Sequence, residues 1–542
     1  MNLLLLCIVL GCIHALPVRL PPRTEAPSPH RPRRPLYGSG APPHTAHSGL
    51  LPVTQGSAPY AQVLNISMET EHYFFTGASF GNVSAQTFLL SGGDWYQGLP
   101  YPFFVWSFDA SSGAPLAPTY AYPTVPGSLW PTRGLLPTAL FSGMSFQTEA
   151  AVFGGFDAGS ESPLWIETVP GVSGNWWETA APMQSSLNGS IVAYALTSLA
   201  NYDPLAAKHA EVVVVDTSAF PARVLLRDVL ANGTGMESLL LSDDGSTLVM
   251  ISAWDPKGSI NSSLVRVYNV VEGVVSSEIT TGWVDAACMS GDGKALVLTT
   301  CDSENAIEVY TVDVGAGLVT LVSNSSYPQG LPPSSTFTYA DTCKVTAGGG
   351  LFVVFPLWWG GSINQTAVAY WKTLPTAPTW EPYLPPTTLW LSNPISPQLQ
   401  ESVICSLRHT PNSLHHPSFT PTHKPQNTFS RKNYSSIIAS ATLGSFFVYT
   451  SWGGKALSPS TDPTPPTIHI FSEAQPSAPI LEISTPGTED ASNSGSIQSF
   501  DLCTNGTQQL LILAEGIGNH ANIGSDGGLA YLFAVDVSSY TL

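Results

Sequence analysis

Two stretches of this 542-residue chain repeat one pattern at an interval of 48 residues. Residues 238–252 read SLLLSDDGSTLVMIS, and residues 286–300 read AACMSGDGKALVLTT. Each stretch is an apolar run, an Asp-Gly turn and a second apolar run, and glycine suits the turn because it tolerates positive φ. The pairs that align are Ser242 with Ser290, Asp244 with Asp292, Gly245 with Gly293, Leu248 with Leu296 and Val249 with Val297. The pattern therefore predicts a β-hairpin that recurs along the chain.

The hairpin extends into a unit of four antiparallel strands, a to d. In the first repeat the predicted strands are Met236–Ser242, Ser246–Ala253, Leu264–Val270 and Val274–Thr281. Strand b of this template recurs in eight units, at Gln86–Ser91, Ala150–Phe156, Ile191–Ser198, Ser246–Ala253, Lys294–Thr300, Leu351–Leu357, Ser445–Ser451 and Gln508–Ala514. A four-stranded meander that repeats every 40–60 residues or so is typical of a β-propeller, in which each sheet covers the faces of its neighbours.

The predicted fold class is therefore all-β: a single β-propeller of four-stranded antiparallel blades, with eight blades preferred and seven possible. The last unit ends after its third strand, Leu529–Val537. The segment Ala61–Met68 precedes the first unit and has the pattern of a spare strand. We expect this N-terminal strand to complete the last blade and close the ring.

Two kinds of known repeat resemble these units. The strand, Asp-Gly and strand pattern resembles generic WD40-like and YVTN-like propellers. The first two units, LLSGGDWYQ (89–97) and VFGGFDAGSESPLWIETV (152–169), resemble kelch repeats, since a strand runs into Gly-Gly and a second strand carries Trp. The resemblance covers residues 60–542 and implies architecture alone, because propellers serve many functions.

Three further segments are predicted outside the blades. Residues 1–16 are an apolar run too short to span a bilayer and are predicted to be a signal peptide, although Val9–Cys12 also matches a bacterial lipoprotein box. Residues 17–58 are predicted to be a Pro-rich, basic, disordered lead-in to a propeller at 59–542. A Pro- and His-rich insertion between blades, at about 393–433, is predicted to be a disordered loop, and a mistranslated intron is an alternative.

The signal peptide and the sequons predict a secreted glycoprotein. Nine asparagines stand in Asn-x-Ser/Thr: Asn65, Asn82, Asn188, Asn232, Asn261, Asn324, Asn364, Asn433 and Asn505. The net charge of −19 disfavours a nucleic-acid partner, and the C-terminal sequence AVDVSSYTL gives no membrane span or lipid anchor. We therefore predict an extracellular protein with no nucleic-acid partner and no membrane span.

Cysteine and histidine in the strands are expected to be packing residues. Cys288, Cys343 and Cys503 fall in predicted strands a, where small apolar side chains line the centre of the ring. A disulfide between Cys301 and Cys343 across adjacent blades is the alternative for Cys343. His469 falls inside a predicted strand c.

A binding face is predicted from the connections between strands b and c, which are the long ones. An aromatic residue recurs where they begin, at Trp95, Phe156, Trp254, Trp358 and Trp452, and His520 lies in the last of them. On superposed blades these residues would ring one mouth of the propeller, where aromatic faces stack on sugars and cations. The pattern predicts a protein or glycan partner; alternatively, the aromatic residues fill gaps between blades.

An enzyme is the alternative to a binding module. Asp203, Asp255 and Asp302 lie in the same connections and could converge on Ca²⁺, as in a metal-dependent, lactonase-like hydrolase. The sequence contains no HExxH motif, phosphate loop or dinucleotide fingerprint, so we predict binding without catalysis and without a cofactor. A structural component of an extracellular matrix or wall is the third alternative.

Overall fold

The fold is taken from a computed structural model of the protein. The residues that it describes are 44–46, 60–67, 73–80, 87–94, 103–114, 116, 120–122, 129–131, 138–145, 150–157, 165–170, 183–198, 209–218, 222–230, 236–252, 262–300, 306–327, 336–337, 340–359, 362–374, 388–391, 440–451, 467–484, 496–504, 509–517 and 529–540.

The regular elements among these residues are β-strands. The first half of the chain contributes β1 (His44–Ala46), β2 (Tyr60–Ser67), β3 (Tyr73–Phe80), β4 (Thr87–Asp94), β5 (Phe103–Asp109), β6 (Tyr120–Tyr122), β7 (Leu129–Pro131), β8 (Thr138–Ser145), β9 (Ala150–Asp157), β10 (Trp165–Pro170), β11 (Met183–Ser185), β12 (Ile191–Ser198), β13 (His209–Asp216), β14 (Arg223–Val229), β15 (Met236–Leu241), β16 (Thr247–Ser252), β17 (Ser262–Asn269) and β18 (Val274–Gly282). The second half contributes β19 (Val284–Met289), β20 (Ala295–Thr300), β21 (Ala306–Asp313), β22 (Leu318–Ser326), β23 (Thr336–Phe337), β24 (Thr342–Val345), β25 (Leu351–Trp359), β26 (Ser362–Trp371), β27 (Thr388–Leu391), β28 (Ser440–Leu443), β29 (Phe446–Ser451), β30 (Thr467–Ser472), β31 (Leu481–Ser484), β32 (Ser496–Thr504), β33 (Gln509–Ile517) and β34 (Leu529–Asp536).

These strands form eight antiparallel sheets. Sheet 1 is β3–β6, sheet 2 is β7–β10, sheet 3 is β11–β14, sheet 4 is β15–β18, sheet 5 is β19–β22, sheet 6 is β23–β27, sheet 7 is β28–β31, and sheet 8 is β32–β34 with β2 and β1. Within each sheet the strands are called a to d from the first strand outward. Neighbouring sheets contact each other through their first strands. Followed from one contact to the next, the sheets come in the order 2-1-8-7-6-5-4-3. This radial packing of four-stranded sheets confirms the predicted β-propeller.

Sheet 8 combines strands from both described ends of the chain. Strand β2 pairs antiparallel with β34, with Ala61 opposite Ala534 and Ser67 opposite Leu529. Strand β2 covers the segment expected to complete the last unit, and it takes the place of strand d there. Strand β1 lies within the predicted lead-in and adds a short outer strand beside β2.

The template predicts most sheets closely, and sheet 2 is the exception. The segment expected to be strand b, Ala150–Phe156, lies in β9, which is the third strand of its sheet. The next segment, expected to be strand c, is β10, the fourth strand. The first two strands of this sheet are Leu129–Pro131 and Thr138–Ser145. They escaped prediction because one is very short and ends at Pro, and the other reads TALFSGMS, where Gly and Ser dilute the apolar pattern.

The core lies between neighbouring sheets. The middle strands are buried on both faces, so they read as continuous apolar runs, and every residue of β16 is buried. Between sheets 5 and 6 the packed residues include Val297, Val353 and Phe355. Each such side chain stabilises the fold by roughly 1.5–3 kcal/mol relative to exposure to water.

His469 is a packing residue, as expected. It is buried on β30, and its ring stacks on Tyr449 with 4.6 Å between the ring centroids. Its Nδ1 lies 2.8 Å from Oε1 of Glu482 on the neighbouring strand.

Within the described part of the chain, no helix has the length and the apolar character that a membrane crossing needs. The segments predicted to be a signal peptide and an insertion at about 393–433 lie outside the described residues.

Candidate functional site at the b–c end of the sheets

At one end of the sheets, strands a and b are joined by tight turns, and the turn of sheet 5 shows their construction. The Ser290 hydroxyl donates to Oδ1 of Asp292 at 2.6 Å, and the Lys294 amide donates to the same oxygen at 3.1 Å. The Ala295 amide donates to the Ser290 hydroxyl at 2.9 Å. The Ser290 hydrogen bond holds the pKa of Asp292 below its usual range. Gly293 supplies the positive φ, +72°, that the turn requires.

The same turn recurs in sheets 3 and 4. In sheet 4 the Ser242 hydroxyl donates to Asp244 at 2.6 Å, and in sheet 3 the Ser186 hydroxyl donates to Asn188 at 2.7 Å. The Ser-x-Asp/Asn-Gly pattern seen in the sequence is therefore a hydrogen-bonded turn rather than a ligand site. This accounts for the spacing of the repeat.

These turns are also bonded to one another across sheets. The amide of Leu187 donates to the carbonyl of Asp243 at 2.7 Å, and the amide of Asp243 donates to the carbonyl of Gly291 at 2.7 Å. The amide of Ala347 donates to the carbonyl of Gly444 at 3.1 Å. Hydrogen-bonding groups at this end, which we call the a–b end, are thus used within the fold itself.

The opposite end carries the connections between strands b and c and is called the b–c end. Seven residues of the predicted site belong to these connections and lie outside the described residues: Trp95, Trp254, Trp452, His520, Asp203, Asp255 and Asp302. Each stands between strand b and strand c of its own sheet.

Two predicted site residues have a different setting from the one expected. Phe156 ends the third strand of sheet 2 rather than the second, so it is not equivalent to the aromatic residues that follow strands b. Trp358 lies within β25, opposite Thr336 and Ile363, rather than in a loop. Strands β25 and β26 leave only residues 360–361 between them. The prediction of a long b–c connection in this sheet, at about 358–366, is therefore wrong. A long apolar strand gives no sequence signal at its end when the following strand begins at once.

Sequence reasoning missed a feature of the first strands near the b–c end. In four sheets the first strand carries a β-bulge, that is, one residue more than the part of strand b with which it pairs. The bulges lie between Phe75 and Gly77, between Met236 and Ser238, between Val284 and Ala286, and between Ile497 and Ser499. The extra residues are all polar: Thr76, Glu237, Asp285 and Gln498. In sheet 6 the interruption is longer, because β23 and β24 pair with β25 on either side of residues 338–341. Bulges of this kind redirect side chains and are common beside functional sites.

Two carboxylates meet where the bulges of sheets 5 and 6 adjoin. Asp285 is the bulge residue of β19, and Asp341 immediately precedes β24. Asp341 is half-buried as a residue, but its Oδ2 is enclosed and makes no hydrogen bond within the described part of the chain. Burial raises the pKa of Asp341 well above its usual range, and the Asp285 carboxylate adds to this rise. The 48-residue offset that aligns Asp285 with Glu237 was the available sequence signal.

A metal site needs several ligand side chains close together. Among the described residues, no group of three or more His, Cys, Asp or Glu side chains is placed to hold an ion. Calcium usually takes six to eight oxygen ligands, so Asp285 and Asp341 alone do not make a calcium site. The three expected ligands, Asp203, Asp255 and Asp302, lie outside the described residues.

The predicted glycosylation sites fall into two groups. The side chains of Asn188 and Asn324 are exposed, in the turn of sheet 3 and on β22 respectively. Asn65 lies in β2 and Asn364 in β26. The remaining sequons, Asn82, Asn232, Asn261, Asn433 and Asn505, lie outside the described residues.

Comparison with known proteins finds structural likeness alone. No family model and no curated protein sequence matches the chain. Sqt1 of Chaetomium thermophilum, solved with the N-terminus of the ribosomal protein L10, is 11% identical with a TM-score of 0.46, over 86% of this chain and 99% of that one. Sqt1 of Saccharomyces cerevisiae is 9% identical with a TM-score of 0.48, over 88% and 98%. The Dos1 propeller is 11% identical with a TM-score of 0.46, over 86% and 94%. By its own strand order and sheet packing, the chain is a β-propeller of antiparallel blades.

Proposed function

We propose that this chain is a secreted, glycosylated β-propeller that binds a protein or glycan partner at its b–c end and does not catalyse a reaction. The observation that carries the proposal is the difference between the two ends of the sheets. At the a–b end, backbone groups of successive turns bond to one another, as Leu187 does to Asp243. Several connections between strands b and c are longer in the chain than the a–b turns, and near that end Oδ2 of Asp341 has no hydrogen bond among the described residues.

The chemistry of the b–c end favours an amphipathic or cationic ligand group. Trp254 and Trp452 belong to the connections 253–261 and 452–466, and indole faces stack on sugar rings and on cations. Asp285 and Asp341 stand at the same end of sheets 5 and 6. Aromatic faces and carboxylates both suit the hydroxyl-rich face of a glycan or a basic side chain of a protein.

Secretion is supported by the sequence and by two exposed sequons. The apolar N-terminal run has the length of a signal peptide. The exposed side chains of Asn188 and Asn324 are accessible to a glycan. The kelch-like character of the first two units stays a prediction.

The test uses the full chain secreted from cultured eukaryotic cells. A photo-crosslinking residue is placed at position 254 or 452, and in the control at position 187, whose leucine is exposed at the a–b end. The same purified protein is applied to a glycan array together with its Trp254→Ala and Trp452→Ala variants. If the partner is a protein, we expect it to be crosslinked from positions 254 and 452 but not from position 187. If the partner is a glycan, we expect array signals that both Trp variants lose. Equal crosslinking from both ends, with glycan signals that the variants retain, would overturn the proposal.

A calcium-dependent, lactonase-like hydrolase is the second candidate. It is favoured by Asp285 and Asp341, which stand at the same end as the connection that contains Asp302. Elemental analysis of the secreted protein, before and after chelation, tests it directly. One calcium per chain, with hydrolysis of lactones or esters that chelation abolishes, would favour the enzyme over the binding module. A structural matrix or wall component would show neither metal nor selective binding.

A further inference from the structure

Two buried cysteines face each other across the boundary between sheets 5 and 6. Cys288 lies on β19 and Cys343 on β24, the first strands of these neighbouring sheets. Their exposed fractions are 3% and 1%, and both belong to one apolar cluster between the sheets. The Cys343 thiol is close enough to the Cys288 thiol to raise its pKa.

The strand registers place both cysteines beside residues of the cluster between sheets 5 and 6. Cys288 pairs with Val297 in sheet 5, and Cys343 pairs with Val353 in sheet 6. All four residues belong to the cluster that fills the boundary. The third described cysteine, Cys503, lies on β32 in a different cluster, between sheets 1 and 8.

We propose that Cys288 and Cys343 form a disulfide that joins the first strands of sheets 5 and 6. This pairing differs from the Cys301–Cys343 alternative, since Cys301 lies outside the described residues. The proposal is independent of what the b–c end binds.

The bond forms by thiol–disulfide exchange with a small disulfide such as oxidised glutathione. One cysteine loses its proton, and its thiolate attacks a sulfur of the small disulfide, which displaces one glutathione thiolate and gives a mixed disulfide. The second cysteine, also deprotonated, attacks the mixed disulfide and displaces the second thiolate. Two protein thiols are oxidised, and one small disulfide is reduced to two thiols that take up the two protons.

The timing follows from burial. In the folded protein, burial raises the pKa of the Cys288 thiol, and the adjacent Cys343 thiol adds to this rise. A protonated, enclosed thiol exchanges slowly, because the thiolate is the nucleophile. The disulfide is therefore expected to form while sheets 5 and 6 come together, and then to resist reduction in the native protein.

The first experiment maps the bond in the full secreted chain, alkylated without reductant and freed of N-glycans. Trypsin cleaves after Arg266, Lys294 and Lys344, which puts Cys288 in one peptide and both Cys301 and Cys343 in the next. Cleavage after Glu304 and Glu308 then separates Cys301 from Cys343. Because the same protease also cleaves after Glu278, we expect residues 279–294 to be linked to residues 309–344, the fragment that contains Cys343. Free, alkylated Cys288 and Cys343, or a link from Cys343 to Cys301, would overturn the proposal.

The second experiment measures thermal unfolding with and without reductant. Cys288 and Cys343 are 55 positions apart, and closing a loop of this size should raise the midpoint by roughly 5 °C. Cys288→Ala and Cys343→Ala should lose the effect of reductant, and Cys503→Ala should keep it. An equal effect of reductant in all four proteins would contradict the assignment. The peptide map of the unmodified chain decides the question even where a variant fails to fold.

Discussion

The Glu473 carboxylate of sheet 7 accepts a hydrogen bond from the Thr346 hydroxyl of sheet 6. It also accepts one from the Gly350 amide at 3.1 Å. In sheets 4 and 5 the corresponding turns carry their own acids, Asp244 and Asp292, but sheet 6 has Gly348 at that position. A neighbouring sheet therefore supplies the carboxylate that the turn of sheet 6 lacks.

Replacement of Glu473 should weaken sheet 6 and its boundary with sheet 7. We expect Glu473→Ala to lower the free energy of unfolding by about 1–3 kcal/mol, since a charged acceptor of two hydrogen bonds is lost. Glu473→Gln keeps one acceptor oxygen and should cost less. Urea denaturation measures both, with Glu272→Ala in the exposed turn of sheet 4 as the control. Equal stability of the Glu473→Ala and Glu272→Ala variants would show that the contact contributes nothing.

Two glycines with positive φ should respond differently to alanine. Gly245 has φ +76°, and a Cβ there would stand 2.7 Å from Cγ1 of Ile191 in sheet 3. Gly349 has φ +84°, and nothing lies within 4 Å of its Cβ position. Gly349→Ala should cost about 1–2 kcal/mol from backbone strain alone. Gly245→Ala adds a steric clash and should cost about 1–3 kcal/mol more. Urea denaturation that ranks the two variants equally would contradict the close packing of these turns.

Asp341 should make the protein less stable as the pH rises. Its folded pKa lies above the unfolded value, so its contribution is full below the unfolded pKa and is lost as the pH rises through the folded pKa. Asp341→Asn removes this loss and should raise the free energy of unfolding by about 1–3 kcal/mol at alkaline pH. Asp313→Asn, in an exposed turn, is the control. Parallel stability curves for the unmodified chain and Asp341→Asn from pH 5 to 10 or so would contradict this assignment.

The turn acid Asp292 should have the opposite pH dependence. Hydrogen bonding from Ser290 lowers its folded pKa, so its contribution is present above the unfolded pKa and is lost as the pH falls through the folded pKa. Asn188 makes the corresponding bonds in sheet 3, so Asp292→Asn should be tolerated, whereas Asp292→Ala should cost about 0.5–1.5 kcal/mol at neutral pH. Thermal melts at pH 7 compare the two variants. A loss of stability in Asp292→Asn that matches Asp292→Ala would show that the turn hydrogen bonds do not matter.

The architecture was predictable because its unit repeats in sequence. Strand β12 has the bounds Ile191–Ser198 expected from the template, and the turn at Asp292 is built as its Asp-Gly pair indicates. Sheet 2 was misassigned because Leu129–Pro131 and Thr138–Ser145 lack a continuous apolar pattern. Phe156 was then given the wrong position in its sheet.

The polar groups at the b–c end were less predictable for a different reason. Asp285 is set apart by a shift of cross-strand register, which the sequence of one strand does not encode. Asp341 gains its altered pKa from burial and from a residue of the neighbouring sheet. Glu473 likewise acts on a turn 127 positions away in the chain. Contacts between sheets decide all three, and a repeat pattern describes only one sheet at a time.

The most direct test of the binding proposal is the dissociation constant for the glycan or protein captured by the secreted chain. It should be measured for the unmodified protein and for the Trp254→Ala, Trp452→Ala and Leu187→Ala variants. We predict binding at least about tenfold weaker when Trp254 or Trp452 is replaced, and unchanged binding when Leu187 is replaced. Weakened binding in Leu187→Ala alone would place the interaction at the a–b end and contradict the proposal.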